Sequence, residues 1–288
     1  MTDSLAPNTQ DQSPYDILTS LEGAQIQHGP NNNRIYLMDL KEADPARLII
    51  QMQSLAREHG YGKLFAKVPE HRAGRFLSHG FRVEARIPGF YPECDALFLG
   101  LYPDPQRAKE AQTHQLHKVL QLARHNLAPV HTPDSGSGVR RCRPQDVDAM
   151  AQLYRQVFPS YPFAIDQPDV LQQSMEEDVD YFCIEQQGEL MALAAAEKSP
   201  GSMTVEMTDF ATSPAARGQG LASLLLRQME QEVSSEGYRV AYTIARAYSV
   251  GMNRTFARQR YQLAGRLTNN TQISGHIETM NVWYKALR

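Results

Sequence analysis

The chain has few cysteines, a single tryptophan, no long apolar run and no excess of charge of one sign. Its three cysteines, Cys94, Cys142 and Cys183, lie far apart, and no C-x-x-C pair offers a zinc site or a redox couple. So sparse and odd a set points to a reducing compartment, and the cytoplasm is the expected location. There the Asn-x-Thr tripeptides at Asn253 and Asn269 are accidental matches to a glycosylation signal. The longest apolar run, residues 190–196, falls far short of the roughly 20 residues that cross a bilayer. The opening Met1-Thr2-Asp3-Ser4 lacks the basic start and apolar core of a secretion signal. Lysine and arginine number 29 against 32 acidic residues, a net charge of -3, so no global basic field can neutralise a phosphate backbone. Neither nucleic acid nor a membrane is an expected partner. What is present, 42% hydrophobic and 21% charged residues, is enough for a core and for solubility, and a small ligand suits it best.

At 288 residues the chain exceeds one ordinary core, and its composition divides it unequally. Residues 1–14 are polar without periodicity, which predicts a loose tail. Residues 15–103 predict a smaller N-terminal α/β domain. Its first strands are expected at 24–28 and 34–40, separated by the turn formers Gly29 to Asn33. Asp44 caps a helix opened by Pro45, whose apolar side (Leu48, Ile49, Met52, Leu55, Ala56) recurs until Gly60 stops it. A strand at 63–68, a helix near 70–78 and strands at 81–88 and 96–102 complete the unit. Residues 104–137 read as a connector, helical over 106–126 and ending in a linker of Pro, Ser and Gly. Within it, His114-x-x-His117 reads as a solvated helix face, and no metal is expected.

Residues 138–288 predict a second α/β domain. A strand at 139–142 precedes a helix through Leu153 and Val157, and strands at 181–186 and 190–197 flank the hairpin signal Gln187-Gly188. The strand 204–212 then runs into Ser213-Pro214-Ala215-Ala216-Arg217-Gly218-Gln219-Gly220-Leu221-Ala222 and a helix over 222–236. Glycines let backbone N–H groups turn inward around an anion, and a helix N-terminus adds its positive end. The turn is not a Walker loop, because the Lys-Ser/Thr pair is missing, and it lacks the spacing of a dinucleotide fold. On its own it reads either as a pyrophosphate cradle or as an ordinary glycine-rich turn.

At Arg217, Gly220 and Ala222 the chain resembles the GNAT superfamily of acetyl-CoA-dependent N-acetyltransferases, whose signature is R/Q-x-x-G-x-G/A after a strand and a Pro-containing turn. The resemblance implies a C-terminal GNAT fold with acetyl-CoA as cosubstrate. It implies that backbone amides of Arg217, Gly218, Gln219, Gly220, Leu221 and Ala222 bind the coenzyme pyrophosphate, and that Ala211 and Thr212 pair with pantetheine. Residues 206–212, 242–247, 251–253, 269–271 and 280–285 are similar to the β-lysine N-acetyltransferase family, as are 27–29, 65–69 and 84–90 in the front half. That family implies acetyl transfer to the terminal amine of β-lysine, giving the osmolyte N-acetyl-β-lysine. Another diamino acid or a polyamine as acceptor, or a non-catalytic acetyl-CoA-binding regulator, are the alternatives. Gly60-Tyr61, a strand, a helix with Phe76, then Phe81 and two strands repeat in order as Gly237-Tyr238, a strand, a helix with Phe256, then Tyr261 and two strands. The N-terminal domain is therefore either a partial GNAT-like unit without the phosphate turn or a common βαββ arrangement.

An alkylamine with a pKa near 10.4 must lose a proton before it attacks a thioester, and a carboxylate beside the cleft is the economical route. By resemblance Glu206 is the expected base, with an ordinary exposed strand glutamate as the competing reading, and Asp209 is the second choice. A bulge, common on this strand in the superfamily, would shift the register after Glu206. Phe256 stands where many members carry the tyrosine that protonates the departing thiolate, leaving Tyr248, Ser249 or solvent as the acid. By the same resemblance Ser249 stands where members customarily carry a coenzyme-contacting Asn, and Asn253 is an expected coenzyme contact, with an exposed helix residue as the competing reading. For the acceptor, Arg246 is expected to hold the carboxylate and Glu278 the second amine. Asn270, Asn281 and Tyr161 are further polar candidates, each taken alone more readily read as structural, and Trp283 reads as core.

Overall fold

The computed structural model describes residues 15–125 and 138–287; the tail expected at 1–14 and the linker at 126–137 lie outside them. In the front half, strands β1 (Ile17–Leu21), β2 (Ala24–Gly29) and β3 (Arg34–Asp39) precede helix α1 (Pro45–His59). They are followed by β4 (Lys63–Pro69), α2 (Ala73–Ser78), β5 (Arg82–Ile87) and β6 (Ala96–Leu101), and helix α3 (Thr113–Arg124) leads onward. The back half begins with β7 (Val139–Arg141), α4 (Val147–Val157), α5 (Pro168–Glu176), β8 (Val179–Gln186) and β9 (Glu189–Ser199). It continues through β10 (Thr204–Thr212), α6 (Leu221–Ser235), β11 (Val240–Arg246), α7 (Val250–Arg258), β12 (Gln262–Ile273) and β13 (His276–Ala286). Among the described residues no helix is long and apolar enough to cross a membrane.

All these strands form one sheet in the order β1-β2-β3-β4-β6-β5-β12-β13-β11-β10-β9-β8-β7. The halves join where β5 and β12 run antiparallel, with Ala85 opposite Gly265. A Cβ on Gly265 would collide with the Glu84 carbonyl oxygen and with Ala85, so a glycine is what lets the two strands approach.

On each side of this seam the chain traces the same path. β3 and β4 are parallel with β6 and β5 beyond them, as β10 and β11 are parallel with β13 and β12 beyond them. The helix between the parallel strands ends alike in both halves. Gly60 and Gly237 take positive φ, then Tyr61 N bonds Ala56 O and Tyr238 N bonds Val233 O. The front half lacks the glycine turn, and it has no counterpart of β7, α4 and α5. Its α1 starts instead at Asp44, whose carboxylate accepts from Ala46 N at 3.2 Å and so fills the place an external anion would take at that helix end.

On one face of the sheet α1 and α2 cover Ile35, Leu37, Leu64 and Ala66, and α6 and α7 cover Val205, Met207, Ala241 and Ala245. These are the alternate residues of their strands, as a half-covered sheet requires. The other face is shared between the halves. There Tyr36, Phe65, Phe90 and Phe98 cluster with Tyr242, Met280 and Val282, while α4 and α5 cover Tyr181, Cys183, Leu193 and Ala195.

The connector corrects one expectation from periodicity. Helix α3 begins at Thr113, because the residues before it are tied into loops. Arg107 donates to Asn32 O, Asn33 O and Asn269 O, and Asn269 Nδ2 donates to Arg107 O and Lys109 O. Two elements escape periodicity altogether. β1 is an almost wholly exposed edge strand without alternation, and α5 is a short helix announced only by Pro168 at its start.

Candidate active site

β10 and β11 set the geometry of the site. They pair in parallel only where Thr204 to Glu206 meet Val240 to Tyr242, and past that point the pairing stops. A bulge follows at once: Thr208 faces Ala195 of β9, but the next paired residue is Ala211, facing Leu193. Within it Asp209 takes a φ of 55°, and the extra residue bends β10 just where it leaves β11. A cavity of about 730 Å³ opens there, walled by β10 and β11, by the 158–163 loop and by Arg34, Tyr36, Phe65 and Lys67 of the front half.

Of the carboxylates that line this cavity, Glu197, Glu206 and Asp209 stand where β10 leaves β11. Glu206 and Glu197 stand directly opposite each other on β10 and β9, an arrangement of like charges that a sheet ordinarily avoids. Burial, helped by the charge of Asp209, raises the Glu206 pKa, while Lys67, the Tyr242 hydroxyl and the Ile244 N–H oppose the rise. Glu197 is open to cavity water yet walled by protein, and desolvation with the charges of Asp209 and Glu206 pushes it well above the carboxylate range. Burial also raises Asp209, against hydrogen bonds from Tyr161 Oη at 2.5 Å and Thr208 Oγ1 at 3.2 Å. Lys67 lies over the rings of Phe90 and Tyr242 at 5.5 and 5.8 Å; burial lowers its pKa against the pull of Glu206, Asp39 and Glu197. Sequence reading misses Glu197 and Lys67, because cross-strand register and the other half of the chain bring them here. The only signal for Glu197 is an acid ending the alanine-rich run 192–196.

At its far end β10 passes through the turn Pro214–Ala216 into Arg217, Gly218, Gln219 and Gly220, all exposed. Gly218 and Gly220 have φ of 84° and 76°, and Gly220 precedes α6 without a side-chain cap. The Arg217 N–H turns back to Pro214 O at 3.5 Å. Among the described residues, the N–H groups of Gly218, Gln219, Gly220, Leu221 and Ala222 donate to no backbone carbonyl. Uncommitted N–H groups at the positive end of a 15-residue helix fit a pyrophosphate. Ala211 and Thr212 pair with Leu193 and Ala192 of β9 on one side, and their other edge, past the pairing with β11, is free for an amide-bearing arm.

The remaining expected residues are placed differently. Asn253 is fully buried and fully used: Nδ2 donates to Arg246 O and Ser249 O, and Oδ1 accepts from Asn281 Nδ2 and Trp283 Nε1. It has nothing left for a coenzyme, and Asn281, whose Oδ1 takes Arg266 Nε at 3.3 Å, belongs to the same buried network. Asn253→Ala would orphan the Trp283 and Asn281 donors, so it is expected to cost about 2–4 kcal/mol of stability. Thermal unfolding checks this, and an unchanged melting temperature would contradict the structural role. Ser249 caps α7, its Oγ accepting from Met252 N at 3.3 Å. Arg246 lines the cavity, but its guanidinium is gripped by both Glu278 oxygens at 2.9 and 2.5 Å, and Glu278 lies outside the cavity wall. Each satisfies the other, so the pair does not hold opposite ends of an acceptor. Tyr248 donates to Glu110 at 3.0 Å, and Phe256 borders the cavity edge-to-face with Phe210. Asn270 and Tyr161 line the cavity as expected. Among the described residues no group of three His, Cys, Asp or Glu side chains is arranged to hold a metal ion.

A family model described as the Acetyltransferase (GNAT) family matches residues 147–262, from α4 to the start of β12. Curated relatives extend the likeness to the front half. The β-lysine N(6)-acetyltransferase of Methanococcus maripaludis is 35% identical over 261 residues, which cover 90% of this chain and 95% of the relative. The enzyme of the same description from Methanosarcina mazei is 28% identical, covering 82% and 95%. The N-acetyltransferase YodP of Bacillus subtilis is 27% identical, covering 92% and 96%.

Proposed function

The chain belongs to the β-lysine N(6)-acetyltransferase family within the GNAT acetyltransferases, and on that premise we propose how it moves acetyl from acetyl-CoA to the terminal amine of β-lysine, making the compatible solute N-acetyl-β-lysine. The observation that carries the reading is the parting of β10 from β11, with carboxylates at its root and the uncommitted N–H groups of the glycine turn at its end.

Bound acetyl-CoA supplies an acetyl group activated as a thioester. The N–H groups from Gly218 to Ala222 hold the pyrophosphate, and the free edge at Ala211 and Thr212 aligns the arm that reaches into the cavity. A Glu206 carboxylate oxygen takes the proton of the acceptor ammonium. Its raised pKa brings it closer to that of the proton it must accept, and the Tyr242 hydroxyl and Ile244 N–H fix its orientation. Asp209, on the bulge and bonded to Tyr161, is the second candidate for that role. Phe256 has no proton to give, and a thiolate with a pKa of about 8.5 needs only solvent as its acid. The sparse cysteines support the cytoplasm as the working compartment, with a small amine as partner and neither nucleic acid nor membrane.

The test incubates pure protein with acetyl-CoA and β-lysine while free thiol is followed and the product is mapped by mass spectrometry. Thiol release that requires β-lysine, with acetyl on the terminal nitrogen, is the expected result. Release with a polyamine or another diamino acid alone would reassign the acceptor. Acetyl-CoA binding without release to any amine would make the chain a regulator.

A further inference from the structure

We propose that Arg34, from the front half, anchors the carboxylate of the acceptor amino acid, and that Asn270 beside it takes the amine two carbons away. The inference rests on the acceptor reading above and adds the residues that select it. Four cations border the cavity; two are held in ion pairs and a third lies in the field of three acids. Arg246 is held by Glu278, Lys198 by Asp180 and Glu236, and Lys67 sits among Glu206, Asp39 and Glu197. Arg34 makes no ion pair among the described residues although it is 4% exposed. The nearby acid Asp16 is committed to the Asn31 and Asn32 N–H groups and to Asn32 Nδ2.

The guanidinium is held as a fixed plane. Nη1 donates to Asn270 O at 2.5 Å and Thr271 Oγ1 at 3.1 Å, and the group lies 5.3 Å over the Tyr36 ring and 5.7 Å over that of Phe65. Arg34 lines the cavity, and its Nε is buried with no hydrogen-bond partner. Burial brings the pKa down to about 10, which leaves the group charged at neutral pH. A buried cation without a counter-ion is costly, and an arriving carboxylate offsets that cost with charge-assisted hydrogen bonds. Asn270 is also nine-tenths buried and lines the cavity; its Nδ2 donates to Thr271 Oγ1 and its Oδ1 meets no partner. An unpartnered donor and an unpartnered acceptor thus belong to two neighbouring residues of the cavity lining, which suits a carboxylate with an ammonium two carbons away. The aromatic wall of Tyr36, Phe65 and Tyr242 suits the methylene chain, and the acids at the root of β10 receive the distal amine.

The repeated fold explains how this wall arose. β3 and β4 occupy the place in the front half that β10 and β11 occupy in the back, and Tyr36 beside Phe65 matches Glu206 beside Tyr242 in register. Having no phosphate turn, the front half contributes the wall that recognises the acceptor.

The test compares kcat/KM for β-lysine with that for 1,4-diaminopentane, the same diamine without the carboxylate. Wild-type enzyme is expected to prefer β-lysine by roughly thirtyfold or more, the scale of a charge-assisted pair. Arg34→Met is expected to shrink that preference to within about threefold, chiefly through KM, and Arg34→Lys to keep part of it. Circular dichroism and acetyl-CoA affinity report folding, and a merely structural defect would lower both amines alike. A wild type indifferent to the carboxylate, or a folded Arg34→Met that keeps the preference, overturns the proposal. If Arg34→Met fails to fold, the wild-type ratio and Arg34→Lys decide. β-Lysine acetylated without regard to its carboxylate sinks this inference alone; β-lysine not acetylated at all sinks the acceptor reading with it.

Discussion

Glu206→Gln is expected to lower turnover on β-lysine by about a hundredfold or more near neutral pH, the lower end of what general-base catalysis contributes. The pH profile gives the sharper signature. Burial and the charge of Asp209 raise the Glu206 pKa, and Lys67, Tyr242 and the Ile244 N–H restrain the rise. Tyr36 and Glu197 also feel its charge across the cavity. The basic form therefore appears as pH climbs through a value raised above that of an ordinary glutamate, and wild-type kcat/KM rises along that limb. In the variant the limb vanishes. The rate then follows the fraction of free amine, gaining about tenfold per pH unit toward the amine's pKa near 10.4. Glutamine keeps the shape and can still accept from Tyr242, so fold and acetyl-CoA affinity are expected to hold. An unaltered profile moves the role to Asp209, where Asp209→Asn would then remove the limb.

What the sequence makes legible is local chemistry, and what it hides is whatever stands across a sheet or a seam. Asp44, Pro45 and Gly60 bound α1 as their residue types require, and Gln187-Gly188 turns the β8–β9 hairpin with both φ positive. The strand 204–212 and the glycine turn are found where the residues place them, because strand, turn and helix signals adjoin. Arg246 and Glu278 have the right chemistry for a substrate, yet neighbouring strands β11 and β13 deliver them to each other. Periodicity names the face of a strand; it says nothing of its partner. The same limit hides Arg34. Its interest lies in the missing counter-ion, and that absence exists only once Thr271 and Asn270 of β12 close over it from more than two hundred residues away. Asn253 fails in the other direction, since its amide is consumed by groups from β11, α7 and β13 that no linear motif brings together.

Gly220→Asp is expected to weaken acetyl-CoA binding by about a hundredfold, equivalent to roughly 2.7 kcal/mol, while leaving the fold intact. The backbone there has φ of 76°, a conformation aspartate tolerates better than most residues at a cost of about 1 kcal/mol. A Cβ at this position meets nothing within 4 Å, so no packing has to yield. The loss therefore falls on the ligand. A carboxylate at the start of α6 adds a like charge beside the pyrophosphate and competes for the N–H groups that would hold it. The protein already contains the comparison, since Asp44 stands at the start of α1 with its carboxylate on Ala46 N, and that half has no anion cradle. The substitution recreates at α6 what the front half has at α1. Calorimetry with acetyl-CoA measures the loss, and thermal unfolding without ligand is expected to move by only a few degrees, as about 1 kcal/mol implies. Gly220→Ala separates the two causes: it shares the backbone cost without the charge, and should weaken binding far less than aspartate does. Equal losses would mean that glycine's conformation alone matters, and an unchanged acetyl-CoA affinity in the aspartate variant would remove the turn from the coenzyme site altogether.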